Sequence, residues 1–200
     1  MLERKGIVTF KGNPVTLVGE EVKPGDKAPD FTALKTDLSE LKLSDYKGRV
    51  VILTSFPSVD TSVCALQAKR FNEEAGKLKD DVSVITISVD LPFALGRFCA
   101  AEGIENEVTV SDHRDLDFGY KYGFVVKELR LLERGIVVID KDGIIAQYEG
   151  YYELKELDWD YFREKYGNVY RMDRLLKAEG KSADDYKVAK QADTLMTFYN

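Results

Sequence analysis

Hydrophobic residues follow two different periods in the central part of this chain. An unbroken run of apolar, β-branched residues begins at Val50 and is interrupted at Pro57, which is typical of a strand buried on both faces. From Cys64 onward, apolar residues recur at spacings of four and three, which predicts an amphipathic helix that ends near Gly76. The segment between the two periods offers three residues able to cap the start of that helix: Asp60, Thr61 and Ser62.

The remaining pattern to about residue 157 alternates strands and helices. This order predicts an α/β fold in which a mixed sheet is covered by helices on both faces. In chain order we predict a hairpin over residues 6–18, a loop at 24–30, a buried strand at 83–90, a helix that Asp90 and Pro92 begin and Gly103 closes, a short strand at 108–110, a long strand at 134–140 and a returning strand at 144–148.

Residues 158–200 differ from the rest because they contain no strand pattern. Aromatic and aliphatic residues recur there at helical spacing, which predicts a helical C-terminal extension behind a domain of residues 1–157. Two interpretations are equally compatible with this pattern. The helices pack on their own domain, or they form a dimerisation or partner surface, because an aromatic stripe must be buried somewhere.

Composition narrows the class of protein. With 200 residues and 44% hydrophobic content, the chain is long enough for one full-sized domain. The formal net charge of -6 argues against nucleic acid or an anionic membrane as the main partner, since both need clustered Lys and Arg. The N-terminal residues lack an apolar signal-peptide core, and no run has the length of a membrane span, so we expect a cytoplasmic protein.

The chain contains two cysteines, Cys64 and Cys99, and one histidine, His113. This set cannot supply a four-ligand Cys/His zinc site, so we expect no metal. It also lacks Cys-x-x-Cys, which argues against a thiol–disulfide oxidoreductase. A Cys–His nucleophilic pair is one hypothesis for His113, but its polar surroundings between Asp112 and Arg114 favour a solvated loop residue.

Cys64 is the strongest candidate for chemistry. A single cysteine on an apolar helical face is more often an inert core residue than a nucleophile. However, Cys64 falls in the first turn of a helix just past the end of a buried strand, where unpaired backbone N–H groups favour a thiolate over a thiol. Thr61, three residues earlier, is a capping residue, a hydroxyl directed at a substrate, or both.

These residues carry a specific resemblance. Pro57-Ser-Val-Asp-Thr61-Ser-Val-Cys64 resembles the peroxidatic motif of the peroxiredoxins, which runs Pro, three residues, Thr or Ser, two residues, Cys. Residues 90–103, which include Cys99, resemble the resolving-cysteine helix of the bacterial thiol peroxidases. The N-terminal hairpin and residues 131–140 match the same subfamily. The resemblance covers residues 1–157 and implies a thioredoxin-like fold, whereas the long C-terminal extension departs from the subfamily.

The resemblance also implies roles for individual residues. Cys64 would be the peroxidatic cysteine, whose thiolate attacks the terminal peroxide oxygen and becomes a sulfenic acid. Pro57 would shield that intermediate from water, while Thr61 and Arg134 would hydrogen-bond the peroxide oxygens. Cys99 would resolve the sulfenic acid by forming an intramolecular disulfide. Without the resemblance, Arg134 is a salt-bridge residue at a strand start, and Cys99 is a small buried residue.

The implied enzyme is a thioredoxin-dependent thiol peroxidase that reduces hydrogen peroxide and organic hydroperoxides without a metal or organic cofactor. We expect thioredoxin or a similar reductase as its partner, and a homodimer as its assembly. The alternative is a peroxide-responsive redox sensor or interaction protein. Because the Cα atoms of a disulfide must come within roughly 7 Å, we predict that the first turn around Cys64 and the Cys99 helix unravel locally during turnover.

Overall fold

The computed structural model describes residues 1–10 and 13–150, so the predicted helical extension at 158–200 lies outside the described residues. None of the helices in the described ranges is long and apolar enough to span a membrane. In chain order the elements are β1 (Glu3–Phe10), β2 (Asn13–Val18), β3 (Thr32–Lys35), β4 (Glu40–Lys42), a 3-10 helix (Leu43–Tyr46), β5 (Val50–Ser55), α1 (Ser62–Ala75), β6 (Val82–Ser88), α2 (Pro92–Glu102), β7 (Val108–Ser111), α3 (Asp117–Tyr122), β8 (Val125–Val126), β9 (Leu131–Leu132), β10 (Gly135–Ile139) and β11 (Ile145–Gly150).

A seven-stranded sheet forms the centre of the molecule, with strand order β11-β10-β5-β6-β7-β3-β4. The three middle strands, β5, β6 and β7, run parallel, and the strands on either side run antiparallel to their neighbours. The prediction of a mixed sheet is therefore confirmed. In the β10–β5 pair, Gly135 lies opposite Ser55, so the beginning of β10 meets the end of β5.

Side chains alternate between the two faces of this sheet, and each face is covered by helix. On one face, Val51 and Leu53 of β5 join the largest buried cluster, which includes Phe118 and Tyr122 of α3. Those two rings stack with centroids 4.9 Å apart, and each fully buried aromatic side chain contributes about 2–3 kcal/mol to stability.

Helices α1 and α2 cover the opposite face. The Gln67 side chain of α1 bonds to Thr54 of β5, and Cys99 of α2 contacts Thr109 of β7. Both threonines lie on the pleat opposite to that of the largest buried cluster. Helices therefore cover both faces, as predicted.

The predicted N-terminal hairpin is present, but it belongs to a second sheet. Strands β1 and β2 pair with β8 and β9 in the order β1-β2-β8-β9. Val15, Leu17 and Val126 are buried in its small core. Strands β8 and β9 were not predicted, because each has two residues and therefore shows no periodicity.

The predicted cap of α2 is wrong. Leu91 occupies the N-cap position without a side-chain bond to the helix, although Pro92 begins the helix and left-handed Gly103 (φ 66°) ends it as predicted. The Asp90 carboxylate instead accepts hydrogen bonds from the Ser58 hydroxyl at 2.7 Å and the Val59 N–H at 2.9 Å. Asp90 therefore ties the β6–α2 junction to the loop that follows β5.

Candidate active site

Cys64 lies in the first turn of α1, directly after β5 and a short buried loop. All six residues of β5 are buried, as the apolar run predicts. Thr61 is the N-cap residue of α1, and its Oγ1 accepts the Cys64 N–H at 3.3 Å. The side chain of Cys64 is 1% exposed. The strand, cap and helix therefore place this thiol at the carboxyl edge of the parallel strands, where pockets form in α/β proteins.

The loop that delivers Cys64 is held in place from two sides. Pro57 is buried, and the two residues after it are bonded to Asp90. The cysteine itself belongs to a small apolar cluster with Phe56, Val59, Ala68 and Leu95. This apolar lining excludes water, so the few polar groups that reach the sulfur act with less dielectric screening.

The guanidinium of Arg134 is the main polar group at the thiol. Arg134 immediately precedes β10, and the β10–β5 pairing brings it to the end of β5. Its Nη2 donates to Cys64 Sγ at 3.2 Å, and its Nη1 donates to Gln67 Oε1. A guanidinium directed at sulfur stabilises negative charge on it. Arg134 forms no salt bridge with any residue in the described ranges, so the alternative of a plain strand-start ion pair is not what the structure contains.

Gln67 is a site residue that the sequence interpretation missed. Its Oε1 accepts from Arg134, while its Nε2 donates to Thr54 Oγ1 at 2.6 Å and to the Ser55 carbonyl at 3.4 Å. Gln67 is 1% exposed and fixes the guanidinium against the end of β5. The available signal was a polar residue three positions after Cys64, next to the predicted apolar stripe of the helix, where a buried polar side chain needs hydrogen-bond partners.

Cys99 lies on α2 in different surroundings. Its Sγ is 3.4 Å from Thr109 Oγ1 on β7, and its side chain is half-buried. Burial raises the pKa of the Cys99 thiol, the hydrogen bond with the Thr109 hydroxyl opposes this rise, and the nearby Glu107 carboxylate adds a smaller increase. Both cysteines are free thiols. The structure thus brings Thr61 and Arg134 to Cys64 and buries Pro57 in the loop that leads to it, but it directs the Cys99 thiol toward β7.

His113 is not hydrogen-bonded to either cysteine in the described residues. Its Nδ1 lies 2.9 Å from Ser111 Oγ, and its carbonyl oxygen accepts from Arg130 at 3.0 Å. Ser111 in turn donates to the Asp90 carbonyl. The hypothesis of a Cys–His nucleophilic pair therefore has no support in the geometry.

Comparison with family models gives two matches. The Redoxin family model matches residues 23–159, which includes Pro57, Thr61, Cys64, Cys99 and Arg134. A second model, the glycosyl hydrolase family 65 central catalytic domain, matches residues 126–200. That second match covers less than half of the chain and falls mostly beyond the described residues.

Known proteins give a consistent result. The chain is 58% identical over 142 residues to a thiol peroxidase of Listeria monocytogenes serotype 4b (strain F2365), a match that covers 71% of this chain and 86% of that protein. It is 56% identical over 142 residues to the thiol peroxidase of Bacillus subtilis (strain 168), and that match covers 71% of this chain and 84% of that protein.

Solved structures agree with these sequence matches. A peroxiredoxin-like protein from Aquifex aeolicus superposes with a TM-score of 0.67 at 38% identity, covering 74% of this chain and 91% of that one. A thiol peroxidase from Chromobacterium violaceum, 18% identical, shares the fold with a TM-score of 0.66 over 90% of this chain and 100% of that one. The chain therefore belongs to the Redoxin family and, within the peroxiredoxins, to the bacterial thiol peroxidases, which are oxidoreductase enzymes.

Proposed function

We propose that this protein reduces hydrogen peroxide and organic hydroperoxides by a two-cysteine cycle in which Cys64 is oxidised and Cys99 resolves the product. The observation that carries the proposal is the 3.2 Å contact between Arg134 Nη2 and Cys64 Sγ at the N-terminus of a helix. A cation, helix N–H groups and a dry apolar lining around a sulfur are what a peroxide-reducing thiolate requires.

In the first step the Cys64 thiolate attacks the terminal oxygen of the peroxide. A sulfur–oxygen bond forms, the O–O bond breaks, and the departing alkoxide or hydroxide takes a proton to leave as alcohol or water. The sulfur is oxidised by two electrons, which the peroxide receives. In this proposal the Arg134 guanidinium and the Thr61 hydroxyl hydrogen-bond the peroxide oxygens, and the buried Pro57 shields the resulting sulfenic acid from water; the contacts of Thr61 and Arg134 with Cys64 support these roles.

In the second step the Cys99 thiol displaces that hydroxyl group from the Cys64 sulfur. A disulfide and one water molecule result. Leu95 lies in the apolar cluster around Cys64, and Phe98 packs against it, whereas the Cys99 thiol contacts Thr109 on β7. Because the two sulfurs have separate partners, the disulfide requires a rearrangement, which supports our prediction that the first turn of α1 and helix α2 unravel locally.

The cycle closes when an external dithiol reduces the disulfide. Thioredoxin is the expected reductant, since a catalytic disulfide of this kind must be reduced in every turnover. No metal or organic cofactor takes part in these steps, because the protein thiols and the peroxide account for all the electrons. The expected homodimer and the cytoplasmic location stay predictions.

Thiol counting tests the mechanism directly. The reduced protein, Cys64→Ser and Cys99→Ser each receive one equivalent of hydrogen peroxide, and free thiols and sulfenic acid are then quantified by mass spectrometry. We expect the wild type to lose both thiols, Cys99→Ser to accumulate sulfenic acid, and Cys64→Ser to consume no peroxide. Rapid peroxide consumption by Cys64→Ser would overturn the proposal.

The same preparation separates an enzyme from a sensor. Added thioredoxin, thioredoxin reductase and NADPH should support many turnovers of peroxide per protein molecule. Oxidation that stops after one equivalent, although the disulfide is chemically reducible, would instead favour the redox sensor or interaction protein that the sequence left as an alternative.

A further inference from the structure

The carboxylate of Asp90 accepts three hydrogen bonds at the junction between β6 and α2. The Ser58 hydroxyl donates to its Oδ1 at 2.7 Å, the Val59 N–H donates to its Oδ2 at 2.9 Å, and the Ser88 hydroxyl donates to the same Oδ2 at 2.8 Å. Asp90 forms no salt bridge with any residue in the described ranges. Hydrogen bonds to a carboxylate are stronger than those between neutral groups, so these bonds hold the two segments firmly together.

The register of two parallel strands explains why these groups meet. Ser55 of β5 lies opposite Ile87 of β6, and both strands end at the same edge of the sheet. Ser58 and Asp90 each follow three residues later. Because paired strands lie about 4.8 Å apart, the segments that leave them stay within reach of one side chain. The contact between the two segments is therefore a product of the β5–β6 pairing.

Asp90 is fixed to the sheet on its own side. Its N–H donates to Ser88 Oγ at 3.2 Å, and its carbonyl oxygen accepts the Ser111 hydroxyl. Ser88 and Ser111 are the last residues of β6 and β7, lie opposite each other in the sheet, and are each 1% exposed. The position of Asp90 thus depends on two buried strand ends and not on the loop that it binds.

The loop between β5 and α1 has the opposite dependence. Within the described part of the chain, Asp90 is the only residue outside this loop to which residues 57–59 are hydrogen-bonded. The Ser58 carbonyl accepts the N–H of Thr61 at 3.1 Å, and Thr61 Oγ1 accepts the N–H of Cys64 at 3.3 Å. A short series of hydrogen bonds therefore connects Asp90 to the helical turn that carries the reactive sulfur.

We propose that Asp90 is a positioning residue that sets the rate at which oxidised Cys64 becomes available to Cys99. We call its two bonds to Ser58 and Val59 the Asp90 latch. While the latch is closed, the first turn of α1 keeps Cys64 in its pocket, where peroxide reacts. When the latch opens, that turn can unravel. This inference rests on the proposed two-cysteine cycle and assigns the resistance to unravelling to one side chain.

The latch also determines what becomes of the sulfenic acid, because two reactions consume it. In one, the Cys99 sulfur forms the S–S bond, the S–O bond breaks, and the hydroxyl group leaves as water. In the other, a second peroxide transfers an oxygen to the Cys64 sulfur, its O–O bond breaks, and it leaves as water or alcohol while a sulfinic acid forms. Only the first reaction needs the latch to open, so a closed latch favours the sulfinic acid.

A purely structural role for Asp90 makes a different prediction. If this carboxylate only stabilises the fold, then losing a comparable carboxylate elsewhere should have the same effect on the reaction. Asp140 is comparable, because it follows β10 directly and accepts two backbone N–H groups at 3.0 and 2.9 Å. Since β10 runs antiparallel to β5, Asp140 lies at the edge of the sheet opposite to Cys64.

The test measures the two steps separately in the full chain. Reduced wild type, Asp90→Ala, Asp90→Asn, Ser58→Ala and the control Asp140→Ala are mixed rapidly with one equivalent of hydrogen peroxide, quenched at intervals and analysed for sulfenic acid and disulfide by mass spectrometry. We expect sulfenic acid to form within about twofold of the wild-type rate in every protein, because the closed loop stays the major state.

Disulfide formation should be about tenfold faster in Asp90→Ala and about threefold faster in Ser58→Ala, which keeps the bond to Val59. Asp90→Asn keeps one acceptor oxygen and should lie between Asp90→Ala and wild type. Asp140→Ala should match the wild type. With excess peroxide, the fraction of Cys64 converted to sulfinic acid should be lowest in Asp90→Ala.

Hydrogen exchange in the reduced proteins provides a readout that does not depend on turnover. Backbone amides of residues 57–64 should exchange faster in Asp90→Ala than in wild type, whereas those of β10 should not change. Unchanged or slower disulfide formation in Asp90→Ala would overturn this inference and leave the cycle intact, as would an equal acceleration in Asp140→Ala. If Asp90→Ala does not fold, the same criterion applies to Ser58→Ala. Failure of the wild type to form the disulfide would instead overturn the proposed function.

Discussion

Cys64 and Cys99 lie on neighbouring helices that cover the same face of the sheet, but the groups near the two sulfur atoms differ in charge. Cys64 has a guanidinium at 3.2 Å and the first N–H groups of α1. Cys99 lies in the last turn of α2, away from the N-terminal end, with a hydroxyl at 3.4 Å and a carboxyl group nearby.

This difference fits the proposed order of events. A thiol that reacts first with peroxide needs its negative charge stabilised at rest, whereas a thiol that reacts second is better kept protonated until the sulfenic acid exists. The pKa of Cys99 is raised mainly by burial, with a smaller increase from Glu107. Two cysteines in one small domain thus obtain different reactivity from a few neighbours.

Removing the cation from the first site should produce the largest effect. We expect Arg134→Met to lower the second-order rate with hydrogen peroxide by about 10²–10³, because the guanidinium stabilises both the thiolate and the departing oxygen. Stopped-flow measurement of peroxide consumption in a single turnover gives this rate. Arg114→Met removes the same charge from a surface ion pair with Glu40 and should leave the rate unchanged. Equal losses in both variants would mean that overall charge, not the contact with Cys64, controls the reaction.

The raised pKa of Glu107, the carboxyl group near Cys99, predicts that the stability of the protein depends on pH. The pKa of folded Glu107, about 8, lies above its ordinary value of 4.5, so the folded protein retains a proton that the unfolded chain has released. The contribution of Glu107 to the free energy of unfolding therefore falls as pH rises from about 4.5 to 8. Burial also raises the pKa of Asp112, to about 7, which adds a fall of the same sign.

Glu107→Gln isolates the first of these two contributions. The reduced variant should be more stable than reduced wild type by about 2–4 kcal/mol at pH 9, and the difference should vanish near pH 4. Urea unfolding across this pH range measures it. Glu105→Gln, at an exposed position, should track the wild type. A constant difference between Glu107→Gln and wild type at all pH values would contradict the assigned ionisation.

Gln67 tests whether the Arg134 guanidinium must be held in place. Gln67→Leu removes the acceptor for Arg134 Nη1 and leaves the buried Thr54 hydroxyl without this donor. We expect about a tenfold lower rate with peroxide and a loss of about 1–3 kcal/mol in stability. Wild-type kinetics in a correctly folded Gln67→Leu would show that other contacts position Arg134.

The smallest effect concerns the predicted unravelling of α2. At Gly96 an added Cβ would meet Thr36 Cβ at 3.6 Å, an ordinary contact, so Gly96→Ala should stabilise the helix by about 1 kcal/mol. Disulfide formation should then slow by about threefold, while sulfenic acid formation stays the same. Ala100→Gly, at an exposed position of the same helix, should do the reverse. If neither substitution changes the rate of disulfide formation, α2 remains folded during that step.

The sequence predicted best those features that depend on residues close together in the chain. The end of β5 and the start of α1 with Cys64 depend on consecutive residues and were predicted correctly, and the cap, Thr61, is one of the three capping residues that the sequence offered. Arg134 was identified only by resemblance, because its position depends on the pairing of β10 with β5. The carboxylate of Asp90 was predicted to cap its own helix, but the Ser58 hydroxyl and the Val59 N–H bind it instead.

Buried polar residues were the main omission. Glu107 belongs to a polar stretch of sequence that is typical of an exposed loop, yet it is buried, and the Asn72 side chain of α1 binds the backbone N–H groups of the two residues before it. Helix α3 was missed because it has six residues and begins after Leu116, a residue with φ 52°, where no common capping signal applies. Such features depend on contacts between distant segments, which local patterns do not contain.

The pairing of Gly135 with Ser55 determines which insertions and register shifts this enzyme can tolerate. Arg134 and Cys64 are 70 positions apart, yet their distance depends mainly on one antiparallel ladder between β10 and β5. Insertions in the surface loops between them leave that ladder intact. A one-residue slip within it would turn the guanidinium to the opposite face of the sheet. The alignment of two backbones, more than any single side chain, therefore keeps this protein a peroxidase.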